Sequence, residues 1–185
     1  MIRSVIVAIL LLLVSLPAQA TEAGWALLRD GGRVVLMRHA MAPGTADPNS
    51  FDIENCRTQR NLSDRGRQQA RRIGALFSAR AAPVERVLSS RWCRALDTAR
   101  LAFGDSLVEP LESLDPSPGD EETATARAKA VIDEVSDFTG SGNMVMVTHQ
   151  ANIAALTGIT AREGEAIIVV AENDGLRVLG RIIFN

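Results

Sequence analysis

The chain has 185 residues, with 20 basic against 22 acidic side chains and a formal net charge of −2. That length fits one domain with a full core, and the charge balance excludes a nucleic-acid binder built on a basic surface. Two histidines and two cysteines are too few soft ligands for a metal cluster, so no metal is expected.

Residues 1–20 read as an export leader. Arg3 supplies the positive start, residues 5–16 are apolar except Ser15, and Ala18-Gln19-Ala20 is a small-x-small cleavage pattern. A membrane span needs about 20 apolar residues, and this run is shorter. The alternative is a retained N-terminal anchor, and no cysteine for lipid attachment follows the run. Cleavage would leave residues 21–185 as one domain in the periplasm, with no stable membrane anchor.

Four apolar residues, Val34 to Met37, predict a buried strand. Arg38 and His39 stand at its C-terminal end, and Pro43-Gly44 break the chain soon after. In open α/β sheets ligands bind outside the carboxyl ends of strands. The connection over residues 41–61 is long, and loops of this length tend to carry function. Its Arg57 and Arg60 are candidate rim residues of a pocket beside His39. Ser63 is an N-cap for a helix reaching about Arg80, with Ala70, Ile73 and Phe77 on the packing face and Arg67, Arg71 and Arg72 pointing elsewhere.

A second strand spans residues 84–88, and Ser89-Ser90 is expected to open the next helix. Arg91 and Arg94 then lie three apart near its N-terminus, where free N–H groups favour an anion. Leu107-Val108 form a third short strand. The following stretch, residues 110–122, holds three prolines and an acidic group that includes Glu112, Asp115, Glu121 and Glu122. Residues 123–138 are amphipathic. Residues 144–148 predict another buried strand that ends at His149, with Asn152 helping to start a helix over residues 153–156. Two apolar stretches around Asn173-Asp174-Gly175 predict a C-terminal hairpin. The pattern as a whole is α/β: a three-layer sandwich with a mostly parallel central sheet, helices on both faces and an antiparallel C-terminal edge.

The even cysteine count in an exported chain predicts one disulfide, Cys56 to Cys93, with two buried thiols as the alternative. Closing that loop is worth about 3–4 kcal/mol in the chain-entropy model.

Four segments in order resemble the histidine phosphatase superfamily, also called phosphoglycerate-mutase-like. Leu36-Met37-Arg38-His39-Ala40 resembles its Arg-His-Gly signature, with alanine for the glycine. Residues 61–70 resemble its Leu-Ser-x-x-Gly-x-x-Gln-Ala segment. Residues 89–99 resemble its Ser-Ser…Arg-Ala…Thr-Ala segment, and Val147-Thr148-His149-Gln150 the segment with its second histidine. The resemblance implies a phosphomonoester hydrolase without cofactor. His39 would be the nucleophile, Arg38 and Arg94 would fork onto the phosphate, and a protonated His149 would steady the transferred group. Arg91 and Gln150 join the candidate rim. The family's acidic proton donor has no clean counterpart. The loop after the third strand offers Glu112, which its neighbours Leu111 and Leu114 are expected to bury partly, or else Asp115. The implied partner is a small phosphate ester. A catalytically silent phosphate-binding relative, or a mutase-type phosphotransferase, are the competing readings.

Overall fold

The computed structural model describes residues 16–117 and 119–184, with side chains from residue 21. Six strands form one sheet in the order β3-β2-β4-β1-β5-β6. These are β1 Val34–Arg38, β2 Val84–Ser89, β3 Val108–Pro110, β4 Asn143–Thr148, β5 Ala166–Glu172 and β6 Gly175–Ile182. The first four run parallel, while β5 pairs antiparallel with β1 and β6 antiparallel with β5. The mixed α/β architecture expected from the pattern is the one observed.

Alternation along the strands divides the core in two. Val35 and Met37 of β1, with Val145 and Val147 of β4, face one side, where Trp25, Leu28, Ile73, Phe77, Ala95 and Ala99 cover them. Val34, Leu36, Met144 and Met146 face the other, against Leu114, Val131, Val135 and Ile153. The first layer is built from α1 Leu16–Arg29, α2 Asp64–Ala79 and α3 Cys93–Phe103. The second comes from α4 Glu121–Asp137 and α5 Gln150–Thr157.

Local chemistry sets the helix ends. Ser63 accepts the Gly66 N–H at 3.0 Å and Asp120 accepts the Thr123 N–H at 2.7 Å, the side-chain capping that these residue types favour. Gly66 is required by contact: a methyl there would run into the Met41 carbonyl, so α2 can start hard against the segment leaving β1.

Three boundaries differ from the sequence reading. Ser89 and Ser90 do not open a helix. Ser89 is still paired in the sheet with Val147, and the Ser90 N–H donates to the Val147 carbonyl, so helical turns begin only at Cys93. Asn152 does not start α5 either. His149 is its N-cap, while Asn152 donates to the carbonyls of Leu114 and Asp115. The third difference is α1, which the sequence reading did not place. Trp25 meets Phe77 and Phe184 edge-on, with centroids 5.4 and 5.8 Å apart. The core of the expected leader lies, apart from Leu16, outside the described residues. Among the described residues no helix is long and apolar enough to cross a membrane.

Candidate active site

Sheet register brings the two histidines together. Arg38 is paired with Thr148 across the parallel β1 and β4, and the His39 N–H donates to the Thr148 carbonyl at 3.0 Å. The next residues out are His39 and His149, with ring centroids 5.4 Å apart. Both rings are buried. The carboxyl ends of β2 and β3 supply the segments holding Ser90 to Arg94 and Glu112 to Asp115, so four strand ends converge here.

The backbone leaving His39 is held at three consecutive N–H groups. Ala40 donates to Thr98 Oγ1 at 2.9 Å, Met41 to Gln69 Oε1 at 2.9 Å, and Ala42 to Glu163 Oε1 at 3.1 Å. Thr98 and Gln69 belong to the sequence segments singled out above, and this is the physical work those residues perform. His39 Nδ1 lies 2.8 Å from the Ala40 carbonyl. A carbonyl only accepts, so Nδ1 carries the proton and Nε2 holds the lone pair.

Three guanidinium groups surround the rings. Arg38 Nη1 donates to Gln150 Oε1 at 2.7 Å and to the Ala161 carbonyl at 2.9 Å. Arg94 Nη1 donates to both Asp47 oxygens at 3.0 Å. Arg60 Nη1 donates to the carbonyls of Ala42 and Gly44. The Nε atoms of all three are buried without a partner, an arrangement that an incoming anion would complete. Burial, followed by the charges of Arg94, Arg38 and Arg60, pushes the His39 pKa down to about 3, against the pull of the Ala40 carbonyl. Burial first, then Arg94, His39, Arg60 and Arg38, also lowers that of His149. Both imidazoles are therefore neutral at pH 7 in the free protein. This corrects the expectation of a protonated His149. The sequence does not reveal that a third arginine and near-complete burial act on it together.

A family model described as the histidine phosphatase superfamily, branch 1, matches residues 34–116. Over that stretch, which takes in β1 to β3, the chain is similar to the histidine phosphatase superfamily. No curated protein matches the sequence significantly. Solved structures share the fold at low identity. The protein histidine phosphatase SixA, complexed with tungstate, is 22% identical over 81% of this chain and 96% of its own, with a TM-score of 0.54. Phosphoserine phosphatase of Entamoeba histolytica, a mutant in complex with phosphoserine, is 12% identical over 80% and 95%, TM-score 0.58. The mycobacterial glucosyl-3-phosphoglycerate phosphatase, complexed with VO3, is 18% identical over 83% and 98%, TM-score 0.56.

Within this histidine phosphatase fold, Arg38, His39, Arg94 and His149 gather at one point, joined by Gln150 and by Arg60 from the loop. Cys56 and Cys93 form the expected disulfide. Beside it the buried Gln59 accepts the Cys93 N–H and donates to the carbonyls of Asp52 and Ile53, which fastens the loop to the start of α3. Phe51 of that loop stacks on Trp92, whose ring stands edge-on to His149 at 6.1 Å.

Other candidates lie elsewhere. Arg57 is exposed on the turn Cys56–Thr58. Arg91 does not share a face with Arg94. It precedes the helix, and its guanidinium is held 2.7 Å from Asp115 and 3.2 Å from Glu112. Glu112 is not the half-buried carboxyl its leucine neighbours predicted. A single 3-10 turn, Glu112–Leu114, buries Leu114 and turns Glu112 outward, where it is 63% exposed and pairs with Arg91 and Arg127. Asp115 is fully buried, and its two oxygens are taken up by Arg91 and Ser90, so it does not present a free carboxyl to the histidines. Asp47, Gln59 and Glu163 were missed. A lone acid or amide in a loop carries no periodicity, and only the fold reveals what it faces. Among the described residues no group of His, Cys, Asp and Glu is assembled to hold a metal ion.

Proposed function

We propose that the protein is an exported phosphomonoester hydrolase working through a phosphohistidine on His39. The observation that carries this reading is the fixed lone pair of His39 Nε2 among the three arginines. An unprotonated imidazole beside a cradle of guanidinium groups can attack phosphorus while the developing charge is neutralised. Arg38 and Arg94 would each fork onto non-bridging oxygens, with Arg60 adding a third charge, and His149 would complete the contact on the transferred group. Water then hydrolyses the phosphohistidine. The likeness to the superfamily model over residues 34–116 supports phosphoryl chemistry. The named substrates of the neighbours, phosphoserine and glucosyl-3-phosphoglycerate, share only the phosphate monoester, so a small phosphate ester is the substrate class.

Export rests on the leader reading of residues 1–20, and the disulfide fits an oxidising compartment. One observation favours the competing reading of a silent phosphate binder, namely that neither Glu112 nor Asp115 is a free carboxylic acid facing the histidines. Release of phosphate from a chromogenic monoester separates the two. His39→Ala is expected to abolish both turnover and the acid-labile phosphoenzyme formed from labelled substrate. Turnover or acid-labile label persisting in that variant would remove His39 from the nucleophile's role.

A further inference from the structure

Ser90 has one hydroxyl proton and two acceptor lone pairs, and the structure shows where all three go. Its oxygen lies 3.0 Å from Asp115 Oδ1. That carboxylate also receives the Arg91 N–H at 2.7 Å and the Arg91 Nε–H on its other oxygen. An ionised carboxylate only accepts, so the Ser90 proton points to Asp115. The Trp92 N–H uses one lone pair of Ser90, at 3.2 Å. The second is left for His149 Nε2, 2.9 Å away, and that nitrogen must then carry the ring's proton. The lone pair of neutral His149 is thereby assigned to Nδ1, which makes no hydrogen bond among the described residues and does not cap α5.

From this geometry we infer that His149 is the proton carrier of the reaction, held in that role by the chain Asp115–Ser90–His149. The inference rests on the phosphatase reading and supplies the proton donor that reading lacks. Asp115 and Ser90 are positioning residues, since neither touches substrate. Ser90 is fully buried and His149 nearly so, and the edge of Trp92 closes one side of the ring. The charged and titratable groups acting on His149 are Arg94, His39, Arg60 and Arg38, with Asp115 behind Ser90.

The proton balance is simple. A monoester has its second ionisation near pH 6, so its monoanion brings one proton into the pocket. Nδ1 takes that proton as the phosphate oxygens settle against the arginines. When His39 Nε2 forms its bond to phosphorus and the ester P–O bond breaks, Nδ1 hands the proton to the leaving oxygen. Neutral again, Nδ1 takes a proton from water as that water attacks phosphorus and the N–P bond breaks. Nδ1 then returns that proton to a phosphate oxygen, phosphate departs as its monoanion, and both imidazoles are back in their starting neutral tautomers.

The test uses the mature protein and its Ser90→Ala variant, which removes the link while changing one buried atom. In the wild type, nitrogen-15 NMR of labelled histidine should show His149 protonated at Nε2 at neutral pH, and Ser90→Ala should shift it toward a tautomer mixture. On an alkyl phosphate, whose leaving group needs a proton, Ser90→Ala should lose about tenfold in kcat/KM, the worth of one hydrogen bond. It should lose clearly less on nitrophenyl phosphate. Wild-type His149 protonated at Nδ1, or equal losses on the two esters, would overturn the assignment. The tautomer reading needs no turnover, so it decides the relay even if Ser90→Ala fails to fold. Failure of the phosphatase reading itself is distinct, because the wild type would then hydrolyse neither ester.

Discussion

The two ends of the central sheet handle buried polarity in opposite ways. At the amino end, Asn143 opens β4 fully buried, and its side chain donates to the carbonyls of Leu28 and Pro83 and accepts the Arg33 N–H. These bonds tie the end of α1 and the segments leading into β1 and β2 to the start of β4. At the carboxyl end, the Nε atoms of Arg38, Arg60 and Arg94 are buried without partners, against a single unpartnered Nε among the described residues, that of Arg33, at the amino end. Two neutral histidines and three like charges share that space. One end is arranged for the folded chain alone, and the other, on the proposed function, for an anion the chain does not contain. Strain and unsatisfied polar groups concentrate where function requires them.

The contrast breaks first on the arginines. Arg94→Ala should lose about 10–100-fold in kcat/KM, because a charged donor to phosphate is worth about 1.5–3 kcal/mol in ordinary settings. Arg91→Ala should lose far less, since its guanidinium serves Asp115 and Glu112. Steady-state kinetics on one monoester decides the ranking, and equal losses would contradict it.

Asn143 sharpens the same contrast from the other end. Asn143→Ala should destabilise the fold by roughly 2–4 kcal/mol, because the buried Leu28 carbonyl and Arg33 N–H lose their partner. Its kcat/KM should stay close to wild type below the melting range. Denaturant titration and kinetics on the same preparation test both halves. A large activity loss with unchanged stability would erase the distinction between the ends.

How much of this is legible in the sequence differs between the same two regions. Val34 to His39 announces itself because a central parallel strand is apolar on both faces, and His149 ends a second such run. The hairpin after Glu172 follows from Asn173, Asp174 and Gly175, and Asn173 indeed takes a positive φ of 53°. The chemistry of the loops is harder to read. Nothing in residues 41–61 says that Asp47 will seat on Arg94, that Gln59 will close the start of α3, or that Arg60 will reach the histidines while Arg57 does not. The acid expected at Glu112 failed for a related reason. Neighbouring leucines predict burial of a segment, but a 3-10 turn decides which of three consecutive side chains goes in. Trp25 and Leu28 sit three apart in a stretch that a leader reading passes over, which is how α1 escaped notice.

The smallest expected effect is on the pH dependence of stability, and its sign follows from the histidines. Unfolded, His39 takes a proton near pH 6.5. Folded, it does so only at about 3, because burial and the arginines hold it neutral. Between those values the unfolded chain binds more protons, so this group's contribution is full above about pH 6.5 and falls on acidification. It levels off below about pH 3, at a rate of about 1.4 kcal/mol per pH unit within the window. His149 shifts in the same direction and adds to the slope. His39→Gln removes one of the two groups. Unfolding free energies of that variant between pH 6 and 4 should therefore fall less steeply than wild type, by about one proton's worth. The amino end offers a control, because Asn143→Ala has no titrating group and should lower the whole curve without changing its slope. If His39→Gln and wild type ran parallel across that window, His39 would titrate alike in both states, and the carboxyl end would not be the strained half of the sheet.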